Sequence, residues 1–382
     1  MRDRILGYVM ARDEWPMLGM SVTHALLSGV DEVLVVNHSS TDSTEAGIAS
    51  LQELFPGRIQ ILHLTMGEYL QRATTNVISS LVDMSKFDWV YTFDADEFLL
   101  FGHSKDLGEI LSKQRPETNV VRYQIDQWVT PTNFNWTKVD DYVRINHRAS
   151  STQFARLSSE ILEQEIIEGN LNYFDVEFLS KVIVRAQYFA DLEAGAHSVR
   201  RRVSTSEVKI GTDKLVCAHL PLAGVERLAM KSAQGKALIE AGFPTDHGWQ
   251  AQMLWRLDKD GGLGQFWANH SIQSEGSDQE SLSAKPYTVK SMDLASQLNA
   301  AVKLMCNVAI GIRTTVLDQS AAIIKFDSNW GHFVPLVNHH LQERDSALLE
   351  RDSALLDIQN STSWRVTEPL RKAKNFFIKF KG

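Results

Sequence analysis

ILGYVMA (Ile5 to Ala11) is a short unbroken apolar run, and MLGMSVTHALL (Met17 to Leu27) carries its apolar residues at helical spacing. VDEVLVVN (Val30 to Asn37) is a second β-rich run. The pattern repeats as a helix from about Thr44 to Leu54, a Pro56-Gly57 turn, the strand RIQILHL and a helix from about Tyr69 to Met84. Strands alternating with helices of this length predict an α/β fold whose mainly parallel sheet is covered by helices on both faces. Such sheets bind ligands beyond the carboxyl ends of their strands.

The next segment, YTFDADEFLL (Tyr91 to Leu100), puts three carboxylates inside what otherwise reads as a buried strand. Residues i and i+2 of a strand point to one side, so Asp94 and Asp96 are expected to present their carboxylates together. Adjacent anions repel unless a cation joins them, and Mg²⁺ or Mn²⁺ prefers oxygen ligands while leaving positions open for substrate phosphates. The cluster therefore reads as a divalent-metal site. Its bland alternative is a solvated loop end whose acids cap the next helix.

Lys plus Arg total 39 against 47 Asp plus Glu, a formal net charge of -8, which argues against general nucleic-acid binding. Cys217 and Cys306 are too few for a disulfide framework and lack metal-type spacing, which fits a reducing, cytoplasmic setting. No secretory signal precedes the first strand, and the apolar window from Leu304 to Ile312 is short of the ~20 residues a spanning helix needs. The protein is expected to be soluble, or peripheral at the inner face of the cell membrane.

After Gly102 the pattern turns mixed. A helix is expected near Leu107 to Lys113, strands at VVRYQIDQWV, KVIVRAQYFA and KLVCAHL, and a helix from Ala223 to Ala241. These readings divide the chain into residues 1–270, with halves 1–102 and 103–270, a Ser-rich linker at 271–286, a helical region at 287–340 and a tail at 341–382. ERDSALL occurs at Glu343 to Leu349 and again at Glu350 to Leu356, a short coiled-coil-like pattern that allows a homo-oligomer or a solvated single helix. The final WRVTEPLRKAKNFFIKFKG mixes basic and aromatic residues, suited to an anionic membrane surface or to a helix docked on the protein's own core.

ARDEWPMLGMSVTHALLSGVDEVLVVNHSSTDST, followed about fifty residues later by FDADEF, resembles the family 2-like glycosyltransferases of the GT-A fold. The resemblance implies a Rossmann-type sheet binding a nucleotide-sugar donor, with a saccharide or lipid-linked acceptor, as in bacterial surface-polysaccharide synthesis. By resemblance, Arg12, Asp13 and Glu14 fall in a first donor-contacting segment, and Asn37, Ser39 and Asp42 in a second. Asn37 departs from the family's usual Asp there. Asp94 and Asp96 fall on the Asp-x-Asp that holds Mn²⁺ or Mg²⁺ on the donor diphosphate. CAHLPLAG resembles the family's His-x-Pro stretch and makes His219 a metal ligand; its continuation Ala223-Gly224 departs from the usual Arg-Ser. His197 in GAHSV is a second histidine, for the metal or for an acceptor hydroxyl.

The implied reaction inverts the anomeric centre, with one carboxylate removing the acceptor proton. Glu193 and Asp126 are the candidates, and each reads equally well as surface charge. Trp249, with Trp128, Phe134 and Trp136, is a candidate sugar-stacking platform, although aromatic residues more often build core. The rivals are a nucleotidyltransferase, which lacks here the Gly-rich basic loop expected after its first strand, and a catalytically inactive assembly protein driven by the tail. A haloacid-dehalogenase-type phosphatase needs a Thr or Val where Glu97 stands.

Overall fold

The computed structural model describes residues 2–64, 78–79, 82–104, 106–150, 158–176, 178–200, 206–245, 248–272 and 288–315. In chain order these form β1 (Ile5–Ala11), α1 (Met17–Leu27), β2 (Glu32–His38), α2 (Thr44–Leu54), β3 (Ile59–Leu64), β4 (Trp89–Thr92), β5 (Glu97–Phe101) and α3 (Leu107–Ser112). There follow β6 (Val120–Val129), β7 (His147–Ala149), α4 (Ser159–Ile167), β8 (Lys181–Arg185), β9 (Glu207–Lys209) and β10 (Leu215–His219). The last are α5 (Val225–Glu240), α6 (Trp249–Lys259), α7 (Leu263–Asn269), β11 (Thr288–Lys290) and α8 (Asp293–Thr315).

The expected α/β class holds. β3, β2, β1 and β4 lie side by side and parallel, and β1 is buried at all seven positions, as a strand covered on both faces must be. Beyond β4 the direction reverses: β8 runs antiparallel to β4 and to β6, and β10 sits between β6 and β5. The mixed second half expected after Gly102 is this part of the sheet.

YTFDADEFLL is two strands rather than one. β4 ends at Thr92 beside β1, β5 begins at Glu97 against β10, and Asp94 to Glu97 form a turn closed by the Glu97 amide donating to the Asp94 carbonyl at 3.1 Å. The chain changes partner strand at this point, and a turn is where polar residues are tolerated. Strand alternation therefore does not pair Asp94 with Asp96. Residues 181–191 likewise divide into β8 and a 3-10 turn, and α4, α6 and α7 carry weak patterns that the sequence reading passes over.

α8 places Leu294, Leu298, Ala301, Met305 and Val308 on one stripe, all buried in the same core as α1 and β1. Each fully buried Leu or Met on that stripe contributes about 2 kcal/mol of transfer free energy. A first compact unit covers Met1–Gln319, and a second, Ser320–Gly382, lies outside the described residues. So do the heptad pair, the basic tail, most of the helix expected at 69–84, and residues 273–286 of the expected linker. Ser271 and Ile272, its first two residues, bond to Thr132 and Thr130. Among the described residues no helix is long and apolar enough to cross a membrane.

Candidate active site

Beyond the ends of β1 and β4 a cleft of about 250 Å³ opens, lined by Glu14, Asp94, Asp96, Glu97, Lys181, His197, His219, Arg227, Lys231 and neighbours. Its floor is the four-residue acidic turn. β10 runs antiparallel to β5 with His219 opposite Glu97, and parallel to β6 with His219 opposite Gln127, so the histidine is carried to the turn by sheet register. The Leu220 amide then donates to the Asp96 carbonyl at 2.9 Å, tying the start of the α5 loop to the same turn. From α5, Arg227 and Lys231, one helical turn apart, reach back into the cleft.

Asp96 is buried and accepts from Lys231 Nζ at 2.9 Å and Arg227 Nη2 at 3.0 Å, both on Oδ2. Burial opposes its charge, but Lys231, His219 and Arg227 outweigh it and hold the carboxyl well below the usual range. Burial also pushes His219 down to about 4, against the pull of Asp96. With His219 neutral near pH 7, Lys231 and Arg227 are the cations that keep Asp96 ionised.

Asp94 faces elsewhere. Its Oδ2 lies 2.9 Å from Lys181 Nζ, which also lies 3.0 Å from Glu97 Oε1. Lys181 opens β8 two residues before Ile183, the partner of Tyr91, and so sits just past the end of β4. Burial works against its charge, yet Asp94 and Glu97 raise its pKa above the usual lysine range. Burial pushes Glu97 up to about 7 against Lys181, with Asp94 and Asp96 adding to the rise. Glu14 is likewise raised by burial, opposed by Arg227, which faces its two oxygens at 3.3 and 3.4 Å.

The expected metal trio therefore divides: Asp96 and His219 meet, and Asp94 is bound by Lys181. Among the described residues no group of three His, Cys, Asp or Glu side chains is gathered to hold a metal ion. Two donors do fit one. Gln127 Oε1 lies 3.1 Å from His219 Nδ1, which therefore carries the proton, so Nε2 turns a lone pair toward Asp96 Oδ1 at 3.6 Å. A lone pair facing an anion is the arrangement that a divalent cation resolves, with substrate phosphates completing its shell.

The donor-segment residues hold two loops together. The Asp13 carboxylate accepts from the Thr41 amide at 2.5 Å and the Asp42 amide at 3.1 Å, while Asp42 Oδ2 accepts from the Trp15 amide at 3.2 Å. Asn37 Oδ1 accepts from the Ser40 amide at 3.1 Å, and Ser39 donates to the Leu64 carbonyl at 2.8 Å. Trp15 packs where α2 has Gly47, whose missing Cβ would stand 2.3 Å from the indole. These ties place Glu14 in the cleft wall, with Arg12 half-buried at the same bend.

Asp126, Glu193 and Trp249 are not brought to the cleft wall. Ile125 and Gln127 of β6 face the cleft side, so Asp126 between them points to the other face, where it pairs with Arg148 at 2.9 Å. Glu193 opens the turn that carries His197, and its amide donates to the Ser198 carbonyl. Trp249 packs near Tyr173, with ring centroids 6.3 Å apart. Trp128, Phe134 and Trp136 are buried in the core, Trp136 beneath Arg227, so none of them is a sugar platform. Lys181, Arg227 and Lys231 are missed by sequence reasoning. For Arg227 and Lys231 the signal was available, since two cations one helical turn apart follow directly on His219.

The model for glycosyl transferase family 2 matches residues 8–162, which includes both tied loops and the acidic turn and ends before Lys181, His197 and His219. No curated protein matches the chain. Among solved structures, the mannosyltransferase PcManGT from Pyrobaculum calidifontis, in complex with GDP-Man and Mn²⁺, is 12% identical with a TM-score of 0.37, over 96% of this chain and 83% of that one. S. aureus TarS is 11% identical with a TM-score of 0.35, over 66% of this chain and 43% of that one. Glucosyl-3-phosphoglycerate synthase from Mycobacterium tuberculosis, in complex with Mn²⁺, UDP and glucosyl-3-phosphoglycerate, is 15% identical with a TM-score of 0.31, over 63% of this chain and 81% of that one. At these scores the three likenesses carry no residue assignment. Residues 8–162 are thus similar to glycosyl transferase family 2, a likeness that spans less than half of the chain.

Proposed function

We propose that the chain transfers a sugar from a nucleoside-diphosphate donor to an acceptor hydroxyl, with inversion, in the synthesis of a polysaccharide or glycoconjugate. The observation that carries this reading is the pair of Asp96, buried and ionised, and the unprotonated Nε2 of His219, 3.6 Å apart at the cleft floor. Breaking a sugar–phosphate bond leaves a diphosphate whose growing charge must be met. A bound Mn²⁺ or Mg²⁺ supplies that neutralisation as a Lewis acid. Asp96 and His219 are the residues that would hold it, and Lys231 and Arg227 would add two donors on the same side. Arg12, Glu14 and Asn37 border the donor's nucleoside, on the loop frame that Asp13, Ser39 and Asp42 brace. The acceptor enters from the His197 side. The basic aromatic end of the tail would attach the enzyme to the inner membrane surface near a lipid-linked acceptor, and the heptad pair would join two copies.

The test is release of free nucleoside diphosphate from UDP-, GDP-, CDP- and dTDP-sugars in the presence of Mn²⁺. Release from one nucleotide class, abolished by Asp96→Asn in a folded variant, supports the reading. Equal release by the variant refutes the role of the acidic turn.

A further inference from the structure

The cleft holds four carboxylates, and each is committed. Asp96 is held by Lys231 and Arg227, Asp94 by Lys181, and Glu14 by Arg227. Both oxygens of Glu97, a side chain only 2% exposed, are taken by Lys181 and the Asp94 amide. The two carboxylates that sequence reasoning nominates as base, Asp126 and Glu193, do not line the cleft. His219 turns its basic nitrogen to Asp96. Among the described residues, His197 is the remaining titratable side chain on the wall without a charged partner in hydrogen-bonding contact.

The chain spends unusual backbone to put it there. Ala196 has φ 53 and Gly195 φ 76, two consecutive left-handed residues of which the first to be named is not glycine. A Cβ at Gly195 would stand 2.7 Å from Cδ2 and 2.9 Å from Nε2 of the His197 ring, so the ring lies against bare backbone. Arg122, paired with Glu207, donates to the His197 carbonyl at 2.8 Å and fixes the turn from β6. Such strain persists only where the surroundings over-determine it, and here they aim one half-buried imidazole into the cleft.

We propose that His197 is the base that takes the acceptor's proton, an assignment that rests on the transferase reading above. Nδ1 faces the Ser180 carbonyl at 3.2 Å and carries the ring proton, which makes Nε2 the basic nitrogen. Burial and then Lys181 lower the ring's pKa below the usual 6.5, outweighing the Ser180 and Leu179 carbonyls and Asp94, so the base is neutral at pH 7. Lys181 from β8 and Asp94 from the acidic turn are the charged groups that act on it. In the step, the acceptor O–H bond gives its proton to Nε2 and its oxygen forms a bond to the anomeric carbon. The sugar–phosphate C–O bond breaks with its electron pair leaving on the nucleoside diphosphate. The imidazolium then returns its proton to solvent.

The test uses the full chain with Mn²⁺ and glucose- or mannose-linked UDP, GDP, CDP and dTDP, water serving as acceptor, read as nucleoside diphosphate released. His197→Gln is expected to bind the nucleoside diphosphate within about twofold of the unaltered chain while turnover falls about a hundredfold or more. The acid limb of the turnover profile, below about pH 6.5, disappears with it. His197→Ala regains turnover with added imidazole, which a merely structural histidine would not allow. Turnover within about threefold in His197→Gln, or an unchanged acid limb, overturns the assignment and leaves the transferase standing. Absence of both binding and release in the unaltered chain overturns the transferase reading and this role together.

Discussion

Nε2 of His219 stands 3.6 Å from Oδ1 of Asp96, with Gln127 Oε1 behind the ring at 3.1 Å from Nδ1. Three elements meet in that line: the turn after β4, the end of β10 and the β6 register opposite it. Gln127, on the cleft side of β6 but behind the His219 ring, fixes which nitrogen is basic without itself lining the cleft. Gln127→Leu frees the ring to rotate and change tautomer, and it is expected to weaken Mn²⁺-dependent nucleoside-diphosphate binding by about 10- to 100-fold. Metal-independent binding should not change. Titration calorimetry with and without Mn²⁺ separates the two.

Glu97 makes the acidic turn pH-sensitive. Its pKa rises from 4.5 to about 7 on folding, so between these values the folded chain binds more protons than the unfolded one. Its contribution to stability is full below pH 4.5 and is lost as pH rises through about 7. Glu97→Gln keeps an acceptor for Lys181 and removes the titration. Urea unfolding of both chains should show the difference moving in the variant's favour from pH 5 to pH 8, whereas a constant difference refutes the shift.

Lys181→Met strips the cation from the same group and should cost about 3 kcal/mol or more at pH 8, since it leaves a buried charge without its partner. The cost should shrink at pH 5, where Glu97 takes up a proton. Equal destabilisation at both pH values would place the loss in packing.

His270 shows the opposite sign. Its Nε2 accepts from the Tyr173 amide at 3.2 Å and Nδ1 donates to the Phe266 carbonyl at 2.8 Å, and burial pushes it down to about 4. Its contribution is full above the unfolded value of 6.5 and is lost as pH falls through about 4. His270→Gln should cost about 1 kcal/mol at pH 7 and flatten the stability slope across that window.

Gly235 is where α5 and α6 touch. A Cβ there would stand 1.9 Å from the Ala251 carbonyl oxygen, against rigid backbone. Gly235→Ala should cost about 2 to 3 kcal/mol by forcing the helices apart, read from the denaturant midpoint.

The first half of the fold was legible because its signals are local. β1, α1, β2 and α2 each combine periodicity with flanking turn residues, and the helices at Met17 and Thr44 begin where the sequence puts them. The acidic turn was found by composition and misread in geometry. Hydropathy alone cannot show that Thr92 ends one strand's pairing and Glu97 starts another's, because the partners β1 and β10 are far apart in the chain. Lys181 was hidden for the same reason: it is an ordinary strand-start lysine until β8 runs antiparallel past Tyr91 and brings it to Asp94. Asp126 lies off the cleft wall because a one-residue step along β6 reverses its face.

The most direct test is titration calorimetry of the full chain with UDP, GDP, CDP and dTDP, with and without Mn²⁺, beside Asp96→Asn. Mn²⁺-dependent binding of one nucleotide, lost in a variant that remains folded, is the result predicted by the Asp96–His219 site. Binding that ignores both Mn²⁺ and the Asp96 carboxylate, or no binding at all, would contradict it.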